Sequence, residues 1–91
     1  MANLNVDLVS ADRKVWSGIA SAVSAPSVDG QIGILAGHTP ILAVLRAGTV
    51  RVSVNDAEPF EVLVTGGFVS VDDNLVTVVA DEITPVTGAE A

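Results

Sequence analysis

The sequence predicts an all-β domain of short strands, packed as a sandwich or a barrel, on two observations. Apolar and polar residues alternate with a period of two, most clearly over residues 49–54, where three valines alternate with threonine, arginine and serine. Such alternation is typical of a strand with one buried face. Glycine, proline, asparagine and aspartate interrupt these runs at short intervals, which indicates many tight turns. A length of 91 residues suits one domain.

The strands follow from the alternation, taken in chain order. Residues 4–8 place two leucines and a valine on one face, with asparagine and aspartate on the other. Residues 19–24 alternate in the same way, as do residues 50–54 and 60–64. Residues 75–80 are almost continuously apolar, which predicts a strand covered on both faces.

The breaks between these runs have the composition of turns. Residues 55–56 (Asn-Asp) and 72–74 (Asp-Asp-Asn) each predict a hairpin turn, and residues 26–30 predict a loop. Gly66-Gly67 predicts a bulge or a close approach of two backbones.

Residues 39–45 are compatible with two structures. Thr39-Pro40 could cap and begin a short helix, with Ile41, Val44 and Leu45 on one face and Gly48 beyond its end. The same residues could form a strand, which we favour mainly because a family resemblance of the surrounding motifs implies it.

Composition excludes several classes of function. The formal net charge is −7 and the chain has only four cationic side chains, so a surface that follows nucleic-acid phosphates is not expected. No cysteine is present, which excludes disulfides and thiolate metal sites. The longest uncharged run, Gly30 to Leu45, is shorter than the roughly 20 apolar residues of a spanning helix. We therefore expect no direct insertion into a bilayer, and we see no signal peptide.

No motif for catalysis, metal binding or cofactor binding is found. His38 is the only histidine, whereas a zinc site needs three or four ligands; it could pack locally or contact a partner. The glycines match no phosphate-binding pattern. The acidic pairs Asp72-Asp73 and Asp81-Glu82 fall at expected turns or strand ends. Trp16, the lone tryptophan, could be a core residue or an interface anchor.

Several motifs occur in an order that resembles one known family. The sequence is similar to the amino-terminal β-sandwich domain of the epsilon subunit of F-type ATP synthases, which favours a two-layer antiparallel β-sandwich of about 8–10 short strands. The resemblance is carried by Leu4–Ser10, Val15-Trp16-Ser17-Gly18, Asp29-Gly30-Gln31-Ile32-Gly33-Ile34-Leu35, Gly37-His38-Thr39-Pro40, Gly66-Gly67-Phe68 and Val76-Thr77-Val78.

The resemblance implies a non-catalytic role in the rotating central stalk. Family members grip the gamma subunit and rest on the ring of c subunits, so that proton-driven rotation of the ring reaches the catalytic head. The expected location is peripheral, on the cytoplasmic face of the cell membrane, as part of the synthase. No cofactor is expected.

The resemblance also implies two sets of contact residues. The expected contacts with the gamma subunit are Val15, Trp16, His38, Thr39, Thr49 and Phe68. The expected contacts with the c-ring are Val28, Asp29, Gly30, Gln31, Ile32 and Gly33.

The chain departs from the family pattern at a few positions. Gln31 stands where many relatives have glutamate, so a neutral hydrogen bond is expected in place of a charged one. Ala36 and Ala47 stand where proline is common. Many members continue into a two-helix domain that can inhibit ATP hydrolysis. Here we expect an epsilon-type domain over residues 1–84, a short acidic tail over 85–91, and no helical hairpin.

Two other classes of protein fit the sequence less well. A free-standing β-sandwich that binds another protein is the main alternative. A pull-down with the chain would then recover a partner outside the synthase. A small enzyme would lose turnover on His38→Ala, and no residue pattern supports that reading.

Overall fold

The computed structural model describes residues 3–54 and 59–87, and all of its regular elements are strands. The strands are β1 Leu4–Ser10, β2 Lys14–Ala20, β3 Ala22–Ser27, β4 Gly30–Leu35, β5 Ile41–Leu45, β6 Gly48–Ser53, β7 Phe60–Val64, β8 Gly67–Asp72, β9 Leu75–Ala80 and β10 Ile83–Thr87. The all-β prediction is confirmed. Residues 39–45 give the strand β5 and not the alternative helix. In the described part of the chain we find no helix with the length and apolarity to cross a membrane.

The strands join in the order β10-β7-β6-β3-β5-β8-β9-β1-β2, with β4 attached to the side of β3. The two ends of this path approach each other, because Trp16 of β2 meets Phe60 of β7 edge to face with ring centroids 4.8 Å apart. The sheet is therefore folded over into two layers and nearly closed, consistent with the predicted sandwich.

One pair of strands departs from the expected antiparallel arrangement. β1 and β9 run parallel, with Asn5 opposite Leu75 and Ser10 opposite Ala80. A parallel pair cannot be joined by a tight turn and needs a long crossover. Seven intervening strands, β2 to β8, supply that connection here, and no local pattern reveals it.

The core is filled almost entirely by aliphatic side chains from the inward face of the strands. Alternate residues are buried over residues 4–8 of β1, 50–53 of β6 and 60–64 of β7, as the alternation predicted. The buried apolar residues are Leu4, Val6, Leu8, Ala20, Val23, Ala25, Ile34, Leu45, Val50, Val52, Phe60, Val62, Val64, Val69, Val71, Val76, Val78 and Ala80.

Two of the predicted strands differ in detail. The alternation over residues 19–24 is broken at Ser21, whose N–H and hydroxyl both donate to the Ser53 carbonyl at 2.8 and 3.1 Å. At this corner the buried positions change from even-numbered to odd-numbered residues. Ala20 and Val23 are therefore both buried, while Ile19 is 55% exposed. In β9 the expected cover on both faces is also wrong: Val76 and Val78 are buried, whereas Leu75 is 47% exposed.

The turns explain most of the glycine and asparagine placements. Asp73 and Asn74 both have positive φ, 51° and 64°, which is the type I′ geometry of a two-residue hairpin. Gly67 has φ 141°, and a Cβ there would lie 1.9 Å from the Val79 carbonyl oxygen. The predicted close approach is confirmed. The predicted turn at Asn55-Asp56 lies outside the described residues.

The predicted loop over residues 26–30 is shorter than expected. β3 continues to Ser27 and β4 begins at Gly30, so the turn consists of Val28 and Asp29. Ser27 stabilises it, because its buried hydroxyl donates to the Gly30 carbonyl at 2.6 Å and accepts from the Asp29 N–H at 3.2 Å.

Strand β10 was not predicted. It pairs with β7, with Pro85 opposite Val62, and it crosses the expected boundary between residues 84 and 85. That domain boundary stays a prediction.

Candidate functional site: two interaction surfaces

The residues expected to contact the c-ring lie on one structural unit, the β3–β4 hairpin. Val28 and Asp29 form its exposed tip, and Gly30 to Gly33 begin β4. Gln31 is exposed and its side-chain amide donates to the Ser24 hydroxyl at 2.9 Å. Ile32 differs from the others because it packs against the core. The set is therefore contiguous, but only part of it faces solvent.

The residues expected to contact the gamma subunit do not form one patch. Val15 and Trp16 lie on β2 and pack partly against the core. Thr49 lies on β6, opposite the exposed Leu63 of β7. His38 and Thr39 lie in the β4–β5 loop, and Phe68 lies near the start of β8.

Trp16 combines the two roles that the sequence left open. Its ring is partly buried, contacts Phe60, and lies over Gly18, where a Cβ would be only 2.7 Å from Trp16 Cζ2. The Trp-Ser-Gly motif thus has a structural explanation, since only glycine leaves space for the indole. Truncation of Trp16 will therefore reduce stability as well as any contact with a partner.

His38 lies in an open cleft at one end of the sheet. Its Nδ1–H donates to the Thr39 carbonyl at 2.7 Å, and the neighbouring Gly37 N–H donates to Asn74 Oδ1 at 2.7 Å. Asp72 and Asp73 line the same cleft. Asp72 lies four positions after Phe68 in β8, so this wall of the cleft is roughly 13 Å along the strand from Phe68.

Phe68 belongs to a different and more continuous surface. On the outer face of the sheet, Val44 of β5 is opposite Phe68 of β8, which is opposite Val79 of β9, which is opposite Val9 of β1. We call these four residues the outer row. Val44 is 58% exposed and Phe68 44% exposed. Four adjacent strands therefore present one apolar line to solvent.

Two further residues extend the outer row. Leu42 precedes Val44 by two residues on the same face of β5 and is 73% exposed. Val28, at the tip of the β3–β4 hairpin, donates its N–H to the Val44 carbonyl at 2.9 Å and is 59% exposed. We call the outer row with Leu42 and Val28 the apolar patch. A contiguous exposed apolar surface of this kind is a candidate site of interaction.

Sequence reasoning missed Leu42, Val44, Val79 and Val9 as surface residues. A signal was present in β5, where the run Ile-Leu-Ala-Val-Leu supplies apolar residues to both faces of a strand. Only the inward face is needed for the core, which leaves Leu42 and Val44 without a structural explanation.

Polar groups border the patch on β1 and β2. Asp7, two residues before Val9, accepts from the Ser17 hydroxyl at 2.7 Å and lies 3.7 Å from Lys14 Nζ. Both charged groups are partly or largely exposed, so the pair contributes little to stability. Within the described residues, no group of three or more His, Cys, Asp or Glu side chains could hold a metal ion.

Comparison with known proteins decides the family. Residues 3–86 match the family described as ATP synthase, Delta/Epsilon chain, beta-sandwich domain. The chain belongs to this family. Its similarity to the ATP synthase epsilon chain of Micrococcus luteus is 54% identity over 80 residues, which is 88% of each chain. For the ATP synthase epsilon chain of Streptomyces avermitilis the identity is 45%, over 88% of this chain and 64% of that protein.

Two solved structures contain chains with the same fold. A chain in the cryo-EM structure of the Euglena gracilis mitochondrial ATP synthase (OSCP/F1/c-ring, rotational state 1) superimposes with a TM-score of 0.88 at 24% identity, over 93% of this chain and 54% of that chain. A chain in the Tetrahymena thermophila mitochondrial ATP synthase central stalk/c-ring structure gives 0.73 at 20% identity, over 88% and 64%. At these identities the structural similarity establishes the fold of this chain and nothing further.

Proposed function

We propose that this chain is a rotor subunit of the central stalk of a proton-translocating F-type ATP synthase. It couples rotation of the c-ring, through the gamma subunit, to ATP synthesis in the catalytic head. It carries out no chemistry itself and acts on the cytoplasmic face of the cell membrane. Family membership and the epsilon-chain relatives support this proposal.

The proposed contact with gamma rests on one observation, the apolar patch. It lies on the outer face of paired strands, which fix the backbone that carries it. Association therefore orders side chains but no backbone, which keeps the loss of conformational entropy small. Of the residues expected at gamma, only Phe68 lies within the patch. All six of them, Val15, Trp16, His38, Thr39, Thr49 and Phe68, stay predictions.

The tip of the β3–β4 hairpin is the proposed contact with the c-ring. Val28 belongs to both surfaces, because it lies at the tip of the β3–β4 hairpin and its N–H donates to the carbonyl of Val44 in the apolar patch. The two contacts are therefore adjacent on the domain. A domain held at both would transmit torque between ring and gamma through a single stiff sheet.

Co-purification tests the proposal directly. The tagged chain is expressed in cells that lack the native subunit, and membranes are solubilised and captured on the tag. Recovery of gamma and the c-ring, with restored ATP-driven proton pumping, is expected. A chain that leaves membranes without these subunits and does not restore pumping would contradict the function.

A further inference from the structure

The strands in residues 3–54 and 59–87 leave three sheet edges, on β2, β4 and β10, and these edges are not equivalent. β2 begins with Lys14, and the β1–β2 ladder has an irregularity at Leu8/Val9. β10 contains Pro85 and has a second irregularity between Pro85 and Thr87. Lysine, proline and bulges are the features by which proteins protect edges from pairing with another chain.

The edge of β4 carries none of these features. Its six residues are Gly-Gln-Ile-Gly-Ile-Leu, which include no charge and no proline. Its register with β3 is continuous from Gly30 to Leu35. Leu35, at the end of the strand, is 62% exposed. Among the described strands, β4 pairs with β3 alone.

The hydrogen bonds around β3 fix which groups of β4 face outward. The Pro26 carbonyl in β3 accepts from the Arg46 N–H at 3.0 Å, and the N–H of Val28, just after β3, donates to the Val44 carbonyl, so the backbone groups of these two residues point away from β4. Ser27 therefore points toward β4 and is opposite Gly30. Since backbone direction alternates along a strand, Gly30, Ile32 and Ile34 bond to β3, and Gln31, Gly33 and Leu35 face outward.

The outward edge thus offers a row of backbone groups in strand geometry. They are the N–H and C=O of Gln31 and Gly33 and the N–H of Leu35, because the Leu35 carbonyl already accepts from the His38 N–H at 3.1 Å. Alternating donors and acceptors at strand spacing are complementary to one kind of ligand, an extended polypeptide backbone.

We propose that the free edge of β4 takes up an extended segment of a neighbouring subunit as an added strand. A second copy of this chain is a poor occupant, because each copy has a net charge of −7 and like charges repel. A contact limited to six residues of one edge is also far smaller than the roughly 800 Å² per partner of a stable interface. The segment should be non-acidic where it passes Asp29. This inference rests on the proposed function, which supplies the neighbouring subunits.

Gly33 allows a matched pair of variants. Gly33→Pro removes one outward N–H, and proline is tolerated on an edge strand when its missing N–H faces solvent. Gly33→Ala keeps the N–H, and its Cβ meets no atom within 4 Å. We expect Gly33→Pro to weaken association with the synthase by about tenfold, the effect of one or two lost hydrogen bonds. Because Gly33 is also one of the expected c-ring contacts, the tenfold loss is measured relative to Gly33→Ala, which adds a side chain at the same position but retains the N–H.

Hydrogen–deuterium exchange resolved to single residues gives a readout that does not depend on a variant folding. It is measured on the chain alone, with purified gamma, and with the c-ring. The N–H groups of Ile32 and Ile34 should be protected in every sample. Those of Gln31, Gly33 and Leu35 should exchange rapidly in the free chain and be slowed by about a hundredfold or more in one of the two complexes.

Each outcome has a distinct meaning. If the chain associates but the outward N–H groups exchange as in the free chain, strand addition is wrong while the rotor function stands. Unchanged association of Gly33→Pro also overturns strand addition. If the chain associates with neither subunit, both proposals fail. If the isolated chain sediments as a dimer that Gly33→Pro dissociates, the occupant is a second copy and not a partner subunit.

Discussion

Replacing Phe68 by alanine should separate docking of the apolar patch from stability of the fold. Phe68 leaves 44% of its surface exposed, which is about 90 Å² for an aromatic side chain of about 200 Å². If the gamma subunit covers that area, the loss at about 25 cal/mol per Å² is about 2 kcal/mol. The expected result is a dissociation constant for gamma roughly 30 times larger.

The assay is calorimetric titration of purified gamma with the isolated chain, well below the unfolding temperature. The covered part of the Phe68 ring packs within the domain, so Phe68→Ala will also lower the free energy of unfolding by about 1–2 kcal/mol. Denaturant titration establishes that the variant is folded under the conditions of the binding experiment.

Val86→Ala is the matched control. Val86 is 51% exposed but lies on β10, outside the outer row. The affinity of Val86→Ala for gamma should stay within about twofold of that of the unmodified chain, since an exposed side chain outside the interface contributes little to binding. Equal affinity of Phe68→Ala and the unmodified chain would refute docking at the outer row. Equal losses in both variants would show that the effect is not specific to this surface.

Two further predictions concern the fold. Trp16→Ala should lower the free energy of unfolding by about 2–3 kcal/mol through lost packing on Phe60; denaturation midpoints test this, and an unchanged midpoint would make Trp16 a pure surface anchor. Gly67→Ala should lower it by at least about 3 kcal/mol, because its Cβ would meet the Val79 carbonyl at 1.9 Å. Gly66→Ala, whose Cβ would be 3.7 Å from the nearest atom, should cost less; the reverse order contradicts the close approach.

The strands that could be predicted are those whose burial is decided locally. In residues 4–8, 50–54 and 60–64 one face of the strand enters the core and the other meets water, so apolar and polar residues alternate in the sequence. The hairpin turn at residues 72–74 could also be predicted, because asparagine and aspartate tolerate the positive φ that this turn requires.

The errors arise where distant residues decide the structure. The corner at Ser21 depends on the carbonyl of Ser53, 32 positions further along the chain. The parallel pairing of β1 with β9 depends on the crossover between them. β10 looked like a tail because its sequence is short, contains Pro85 and follows two acidic residues; its pairing with β7 overrides those local preferences.

The candidate surfaces were only partly predictable for the same reason. The hairpin from Val28 to Gly33 is continuous in sequence, so its residues were found together. The outer row is assembled from four strands that are separated along the chain, and only Phe68 was identified. An alternation pattern indicates which face of one strand is apolar, but not which outward residues of several strands become neighbours.

The outer row and the core place opposite demands on one small sheet. Leu42 and Val44 add nothing to the buried interior, yet an exposed apolar side chain favours aggregation. The net charge of −7 offsets that tendency by mutual repulsion between free chains. The same repulsion would not oppose a partner of neutral or positive charge. A stiff, acidic domain with one apolar face is thus kept apart from its own copies, while a partner of neutral or positive charge meets no such barrier.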